Sequence, residues 1–116
     1  MSSEDRAAKL LQSEATGLLG RALGEQELEL CRRYWRLILR WQRTTRLVSV
    51  AEPVWMARNL VLDSWLFLSL MPPGVRRVVD VGSGCGVPGV ALSIVRPDID
   101  FLLVEGRRRR ASFLAA

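Results

Sequence analysis

The stretch Val78-Val79-Asp80-Val81-Gly82-Ser83-Gly84-Cys85-Gly86-Val87-Pro88-Gly89 indicates a buried strand, a glycine-rich loop and the first turn of a helix. Its β-branched valines favour the strand. Gly82, Gly84 and Gly86 permit positive φ angles and let a ligand lie against the main chain. Pro88 suits the start of a helix, and the free N–H groups of a helix start attract an anionic group.

A second strand is predicted where the run at residues 99–104, apolar except for Asp100, ends in Glu105. In a βαβ unit, an acid at the tip of the second strand faces the loop that follows the first strand. A carboxylate in that place can accept hydrogen bonds from both hydroxyls of a ribose. The two strands and the loop are therefore suited to a cofactor that contains adenosine.

The pattern of the loop favours one cofactor class but leaves two alternatives open. Gly84-x-Gly86-x-x-Gly89 satisfies the dinucleotide pattern, and Glu105 follows at about the 20-residue distance which that pattern requires. However, the strand ends at Val81, so the turn begins with Gly82, and Asp80 would repel a pyrophosphate. Asp80 is better suited to the cationic methionine part of S-adenosylmethionine. We therefore favour S-adenosylmethionine over NAD, and the remaining alternative is a glycine-rich turn without a ligand.

The length and the charge of the chain restrict its class. With 116 residues, of which 49% are hydrophobic, it is long enough for one small domain with a core. The net charge of +5 is unevenly distributed, because residues 31–116 hold fourteen basic and six acidic residues. Such an excess favours a polyanion such as RNA. The alternative is that the charge serves solubility in a chain that prefers arginine.

Several other kinds of site are disfavoured. The absence of histidine excludes a histidine base and a histidine metal ligand. Cys31 and Cys85 lie far apart without metal-binding spacing, which is typical of a reducing cytosol. The polar N-terminus does not resemble a signal peptide, and the apolar run at residues 60–71 is interrupted by Asp63 and too short to span a bilayer. We expect a cytoplasmic protein without metal or membrane contact.

Apolar periodicity predicts helices at residues 5–19, 25–44 and 52–70, and Pro72-Pro73-Gly74 ends the third. Strands at residues 77–81 and 100–105 flank a helix at 90–95, and a further helix starts after the arginine run 107–110. The second helix carries a row of arginines that faces solvent or lies along RNA: Arg32, Arg33, Arg36, Arg40 and Arg43. Asp63 either sits at the edge of an apolar stripe or holds the third helix against the glycine loop.

Together these motifs resemble the GidB/RsmG family, also called glucose-inhibited division protein B. The resemblance covers nearly all of residues 28–116 and is carried by Trp41, Leu62-Asp63-Ser64, residues 80–89, Ile94-Val95-Arg96-Pro97 and Glu105 with the arginines after it. The glycine loop alone would indicate only a methyltransferase. One departure is Asn59-Leu60, where the family usually has Arg-His.

The resemblance implies an S-adenosylmethionine-dependent methyltransferase that acts on guanine N7 of 16S ribosomal RNA. We expect a monomer without a metal. Because guanine N7 carries no proton, the reaction depends on positioning more than on a general base, and no catalytic residue is assigned. The cofactor contacts it implies, together with those expected from the pattern of the loop, are Asp80, Gly82, Ser83, Gly84, Gly86, Val87 and Glu105.

The fold class implied is α/β, with a helical region at residues 1–73 and the first βαβ of a Rossmann-like methyltransferase domain at residues 74–116. The sheet of the family has more strands than the two predicted here. The chain is therefore interpreted as an N-terminal portion that is incomplete at the C-terminus and inactive by itself, or as a shortened relative. The alternatives are a non-catalytic arginine-rich RNA-binding module, and another Rossmann-type methyltransferase or an NAD-binding enzyme.

Overall fold

The first half of the protein is helical. The computed structural model describes residues 1–116, and its first two helices are α1 (Ser3–Leu19) and α2 (Glu25–Trp41). The Ser2 side chain caps α1 by accepting a hydrogen bond from the Asp5 amide at 3.0 Å. The structure confirms both predicted helices, although α2 ends three residues before the predicted end at residue 44.

The early end of α2 is explained by Gln42, which follows it. The Gln42 Oε1 atom accepts hydrogen bonds from the amides of Leu47 and Val48 at 2.8 and 3.2 Å. The Gln42 Nε2 atom donates to the Val48 carbonyl at 2.8 Å. The side chain thereby satisfies the backbone of the link after α2, in place of further helical bonds.

Residues 53–70 form one continuous helical segment whose hydrogen-bonding pattern changes along its length. It consists of α3 (Pro53–Met56), a π-helical stretch (Ala57–Leu62), α4 (Asp63–Trp65) and a 3₁₀ stretch (Leu66–Leu70). Glu52 caps its start by accepting from the amides of Val54 and Trp55 at 3.0 and 2.8 Å. The single predicted helix is therefore continuous but irregular. The π-helical stretch packs between α1 and α5 (Gly89–Val95), and it buries three consecutive residues, Leu60, Val61 and Leu62.

The second half contains the predicted strand–helix–strand unit, but the prediction that its first strand is buried is wrong, because Val79 and Val81 are exposed. Strand β1 (Arg77–Val81) leads through the glycine loop into α5, and β2 (Asp100–Val104) follows. The strands are parallel, with a register that runs from Arg77↔Asp100 to Val81↔Val104. The last helix is α6 (Arg108–Ala115). The protein is thus an α/β protein with a short parallel sheet of two strands.

One hydrophobic core joins the two halves of the chain. It contains buried residues of α1, α2, the 53–70 segment, α5 and α6. Trp65 is fully buried, and its Nε1 atom donates to the Ala91 carbonyl of α5 at 2.9 Å. Trp41 of α2 and Phe113 of α6 pack edge to face, with their ring centroids 5.9 Å apart. None of the helices has the length and apolar character needed to cross a bilayer.

The two faces of the sheet differ. α5 packs against one face, whereas the other bears a row of exposed apolar side chains: Val79, Val81, Leu102 and Val104, from 43 to 77% exposed. The sheet has no third strand, so both outer edges are unpaired. A parallel sheet is normally covered on both faces, and this one is covered on one.

The first turn of α5 packs tightly onto the covered face at Gly89. A Cβ atom on Gly89 would lie 2.4 Å from Leu103 Cδ2 and 2.8 Å from Asp80 Oδ2. The Gly89 amide donates to that same Asp80 oxygen at 2.9 Å. The absence of a side chain at Gly89 therefore sets the distance between α5 and the sheet.

We predict that Gly89→Ala lowers the free energy of unfolding by about 1–3 kcal/mol, because the new methyl group overpacks the helix–sheet contact. The measurement is urea denaturation followed by circular dichroism. The matched control is Gly17→Ala in α1, where a Cβ atom meets nothing within 4 Å. It should stabilise the protein by about 0.5–1 kcal/mol. Equal stability of Gly89→Ala and the wild type would contradict the close packing.

Candidate functional site

The glycine loop, residues 82–88, lies where the carboxyl ends of β1 and β2 meet. The Val104 carbonyl accepts hydrogen bonds from the amides of Gly82 at 2.7 Å and Ser83 at 3.2 Å. These bonds hold the start of the loop at the tip of β2. Glu105, the next residue after Val104, is therefore placed beside Gly82, as predicted from the βαβ spacing.

The loop has an open side and a closed side. Gly82, Gly84 and Gly86 all have positive φ angles, of 75°, 55° and 99°. A Cβ atom on Gly82 would meet nothing within 4 Å, whereas one on Gly86 would lie 2.7 Å from Val90 Cγ2. The open side at Gly82 leaves room for a ligand, and Gly86 is needed for close packing against α5.

Two of the predicted cofactor contacts have buried side chains that bond within the protein. Asp80 is 7% exposed, and its Oδ2 atom caps α5 through Gly89. Ser83 is 1% exposed, and its hydroxyl donates to the Asp80 carbonyl at 2.9 Å. Asp80 therefore neutralises the positive end of α5, a role that its sequence position did not indicate. The contacts of both residues with a cofactor stay predictions.

The other predicted site residues border the loop on two sides. Glu105 is half-buried, and its carboxylate forms no hydrogen bond or ion pair within the chain. Val87 lies in a groove of about 210 Å³ that it shares with Asn59, Asp63 and Phe67 of the 53–70 segment. Asp63 is exposed and bonds to no loop group. It therefore does not hold that segment against the loop, which was one of its two interpretations.

A residue that the sequence did not single out fixes the closed side of the loop. The Tyr34 hydroxyl, on α2, donates to the Cys85 carbonyl at 2.7 Å, and both residues are buried. A buried phenol hydroxyl usually finds a hydrogen-bond partner. The sequence did not indicate which one, because 51 residues separate the two groups.

Arg110 is a second residue that the sequence did not assign to the site. Its Nη1 atom lies 3.7 Å from the position of a Cβ atom on Gly84, and its Nη2 atom donates to the Arg46 carbonyl at 3.3 Å. In the sequence it was one member of an arginine run. In the structure its guanidinium supplies a positive charge beside the glycine loop.

The two cysteines are inert packing residues. Burial raises the pKa of the Cys31 thiol to about 12, and burial is also the main reason why the pKa of Cys85 is raised. Both thiols therefore stay protonated near neutral pH, where a nucleophile or a metal ligand would have to be a thiolate. No group of three acidic, cysteine or histidine side chains is arranged to hold a metal ion.

Comparison with known proteins relates this chain to a described family. Residues 27–116 match the GidB family, described as rRNA small subunit methyltransferase G. A ribosomal RNA small subunit methyltransferase G from Acidiphilium cryptum is 48% identical over 67% of this chain and 37% of its own length. Proteins of that name from Bordetella avium and Dichelobacter nodosus are 36% and 31% identical over 96% and 98% of this chain. The chain spans about half the length of those two relatives, 52% and 54%.

We predict that Tyr34→Phe lowers the free energy of unfolding by about 1–3 kcal/mol, since the buried Cys85 carbonyl loses its partner. Amide hydrogen exchange should become faster at Gly86 and Val87, which both donate to the Ser83 carbonyl within the loop. The control Ser112→Ala removes an exposed hydroxyl and should change stability by less than about 0.5 kcal/mol. Unchanged exchange in the loop of Tyr34→Phe would show that the hydroxyl does not hold it.

The free energy of unfolding should also fall at alkaline pH, because the thiol of Cys31 is buried. The unfolded Cys31 ionises near pH 8.5, whereas the folded thiol stays protonated to about 12. The folded state therefore binds more protons above pH 8.5, and Cys31 alone should lower the free energy of unfolding by about 2 kcal/mol between about pH 7 and about pH 10. Urea denaturation at both pH values measures this loss, and Cys31→Ala should lose correspondingly less. Equal pH dependence of the two proteins would contradict the prediction.

Proposed function

The chain belongs to the GidB family of rRNA small subunit methyltransferase G, and from this premise we propose that it binds S-adenosylmethionine and serves methyl transfer to guanine N7 of 16S ribosomal RNA in the cytoplasm. The observation that carries the proposal is the juxtaposition of an open glycine loop and a free carboxylate at the ends of two parallel strands. In open α/β sheets, ligands bind outside the carboxyl ends of the strands.

The residues present fit the cofactor. Gly82 leaves the outer side of the loop open, as a ligand that lies against the main chain requires. Glu105 has no partner within the chain, so its carboxylate is free to accept hydrogen bonds from the two ribose hydroxyls. Arg110 brings a guanidinium to the loop near Gly84, where it can bind the carboxylate of the methionine part.

The residues of the site have different roles. The main chain around Gly82, Ser83 and Gly84 would form the open surface against which the cofactor lies. Contacts at Gly86 and Val87 remain part of the proposal, and Gly86 also packs against α5. Asp80 would affect cofactor binding indirectly. Its carboxylate holds the first turn of α5 in place, and that turn directly follows the glycine loop. Tyr34 fixes the inner side of the loop at Cys85. The site is thus held in shape by buried hydrogen bonds before a ligand arrives, which favours binding and orientation.

The chemistry requires little from acid–base groups. S-adenosylmethionine supplies a methyl group on a positively charged sulfur atom, and the acceptor guanine N7 carries no proton. The chain has no histidine, and the thiols beside the loop and in α2 stay protonated. The residues of this chain therefore contribute binding and positioning, and we assign none of them as a general base.

We also propose that the chain divides into a helical region at residues 1–73 and a Rossmann-like cofactor-binding region at residues 74–116. The parallel register of β1 and β2 and the helix between them support it. The bare face and the unpaired edges of the sheet support the interpretation that relatives of about twice this length add further elements there.

We predict saturable binding of S-adenosylhomocysteine to this chain in calorimetric titration, with no binding of NAD. Glu105→Gln should weaken binding by about tenfold, because a charge-assisted hydrogen bond to a hydroxyl is lost, worth about 1.5 kcal/mol. The matched control is Asp100→Asn, an exposed acid at the opposite end of β2, which should bind like the wild type.

Three results would count against this assignment. Equal weakening by the two variants would show that the effect is one of net charge. Binding of NAD in preference to S-adenosylhomocysteine would favour a nicotinamide enzyme. No binding to the chain, shown to be folded by circular dichroism, would mean that the residues present here do not form a cofactor site.

A further inference from the structure

A cluster of arginines without acidic partners lies next to the glycine loop. The N-terminal turn of α6 packs on the link after α2, where Arg109 Nη1 donates to the Thr44 carbonyl at 3.3 Å and Arg110 Nη2 to the Arg46 carbonyl. This contact brings together two basic stretches that lie more than 60 residues apart in the chain. We define the basic surface by its exposed members: Arg43, Arg46, Arg107, Arg108 and Arg109.

None of the five arginines of the basic surface forms an ion pair. Two of the four arginines of α2 that precede them are different. Arg36 pairs with Glu4 of α1, and Arg32 pairs with Glu29 at 3.6 Å. The arginine row predicted along α2 is therefore partly neutralised within the protein, whereas the basic surface keeps its full charge.

The basic surface is also electrostatically unfavourable for the helix that carries it. α6 begins at Arg108 with no side-chain cap, and its first turn contains no acidic residue. The N-terminus of a helix is a positive end, so cations are unfavourable there and an anion is favourable. The sequence thus opposes local helix stability at this place, which is typical of functional sites.

We propose that the basic surface binds the phosphate backbone of RNA and leads it toward the glycine loop. Guanidinium groups bind phosphate through two parallel N–H donors, and each arginine of the basic surface is exposed and has no acidic partner. Arg110, in the same turn of α6, lies beside Gly84, so RNA on the surface reaches the cofactor site. The choice of RNA as the polyanion rests on the proposed function.

The test is the salt dependence of RNA binding by the full chain. A short fluorescein-labelled single-stranded RNA is titrated in fluorescence anisotropy between about 50 and about 200 mM NaCl. The slope of log K against log salt should lose about 0.7 for each phosphate contact removed, so Arg107→Gln with Arg108→Gln should reduce its magnitude by roughly 1.4. The control Arg32→Gln with Arg36→Gln removes the same formal charge and should leave the slope unchanged.

A charge-preserving variant separates contact from folding. Arg107→Lys with Arg108→Lys should retain the wild-type slope, because each lysine still neutralises a phosphate. The melting temperature of the glutamine variant should equal or exceed that of the wild type, since two cations leave a helix N-terminus. A reduced slope in the lysine variant would attribute the effect to helix structure and overturn the proposal.

Three other outcomes would also overturn it: no RNA binding by the wild type, an equal loss of slope in the α2 control, or displacement of the RNA by polyglutamate at equal charge concentration. The last would indicate an acidic polypeptide as the partner. Titration with S-adenosylhomocysteine separates this inference from the proposed function. Cofactor binding without RNA binding at the basic surface refutes the inference alone, and RNA binding there without cofactor binding refutes the cofactor site alone.

Discussion

The hydrogen bond from the Tyr34 hydroxyl to the Cys85 carbonyl joins the helical half of the protein to the glycine loop. The Ser83 hydroxyl, which donates to the Asp80 carbonyl, is a second buried attachment of the loop. The amides of Gly82 and Ser83 bond to the Val104 carbonyl at the start of the loop, and the Asp80–Gly89 bond holds the helix that follows it. The outer side at Gly82 stays open. The glycine loop is thereby held in one conformation. The conformational entropy of the loop is therefore lost during folding and does not have to be lost again when a ligand binds.

The strand–loop–helix unit was predictable because its signals are local. The β-branched run of β1, the glycines that require positive φ, and the spacing to Glu105 all lie within 28 residues of sequence, from Val78 to Glu105. The partners of Tyr34 and Arg110 were not predictable, because these contacts join residues 51 and 64 positions apart. The π-helical stretch also depends on neighbours, since it is packed between α1 and α5. Asp80 was assigned to the cofactor by its position, yet its carboxylate is bonded to Gly89.

Contacts within and between the helices also determine which arginines have acidic partners. Acidic residues of α1 and α2 pair with Arg32 and Arg36, whereas Arg43, Arg46 and the arginines around the start of α6 form no ion pair. That concentration of charge lies next to the loop, where the proposed RNA substrate would have to arrive. The face of the sheet that α5 does not cover is a second surface without a partner, and Val81 on that face is 77% exposed. In a family whose compared members are about twice as long, the described residues carry the loop, its supports and the basic surface.

The central claim is that the loop and Glu105 form a cofactor site that is already shaped in this chain. The most direct measurement is two-dimensional NMR of the ¹⁵N-labelled protein during titration with S-adenosylhomocysteine. We expect saturable shifts of the amide signals of Gly82, Gly84 and Gly106, with those of Gly17 and Gly20 in α1 and its cap unchanged. Saturable shifts confined to other parts of a folded chain, or no shifts at all, would contradict the account.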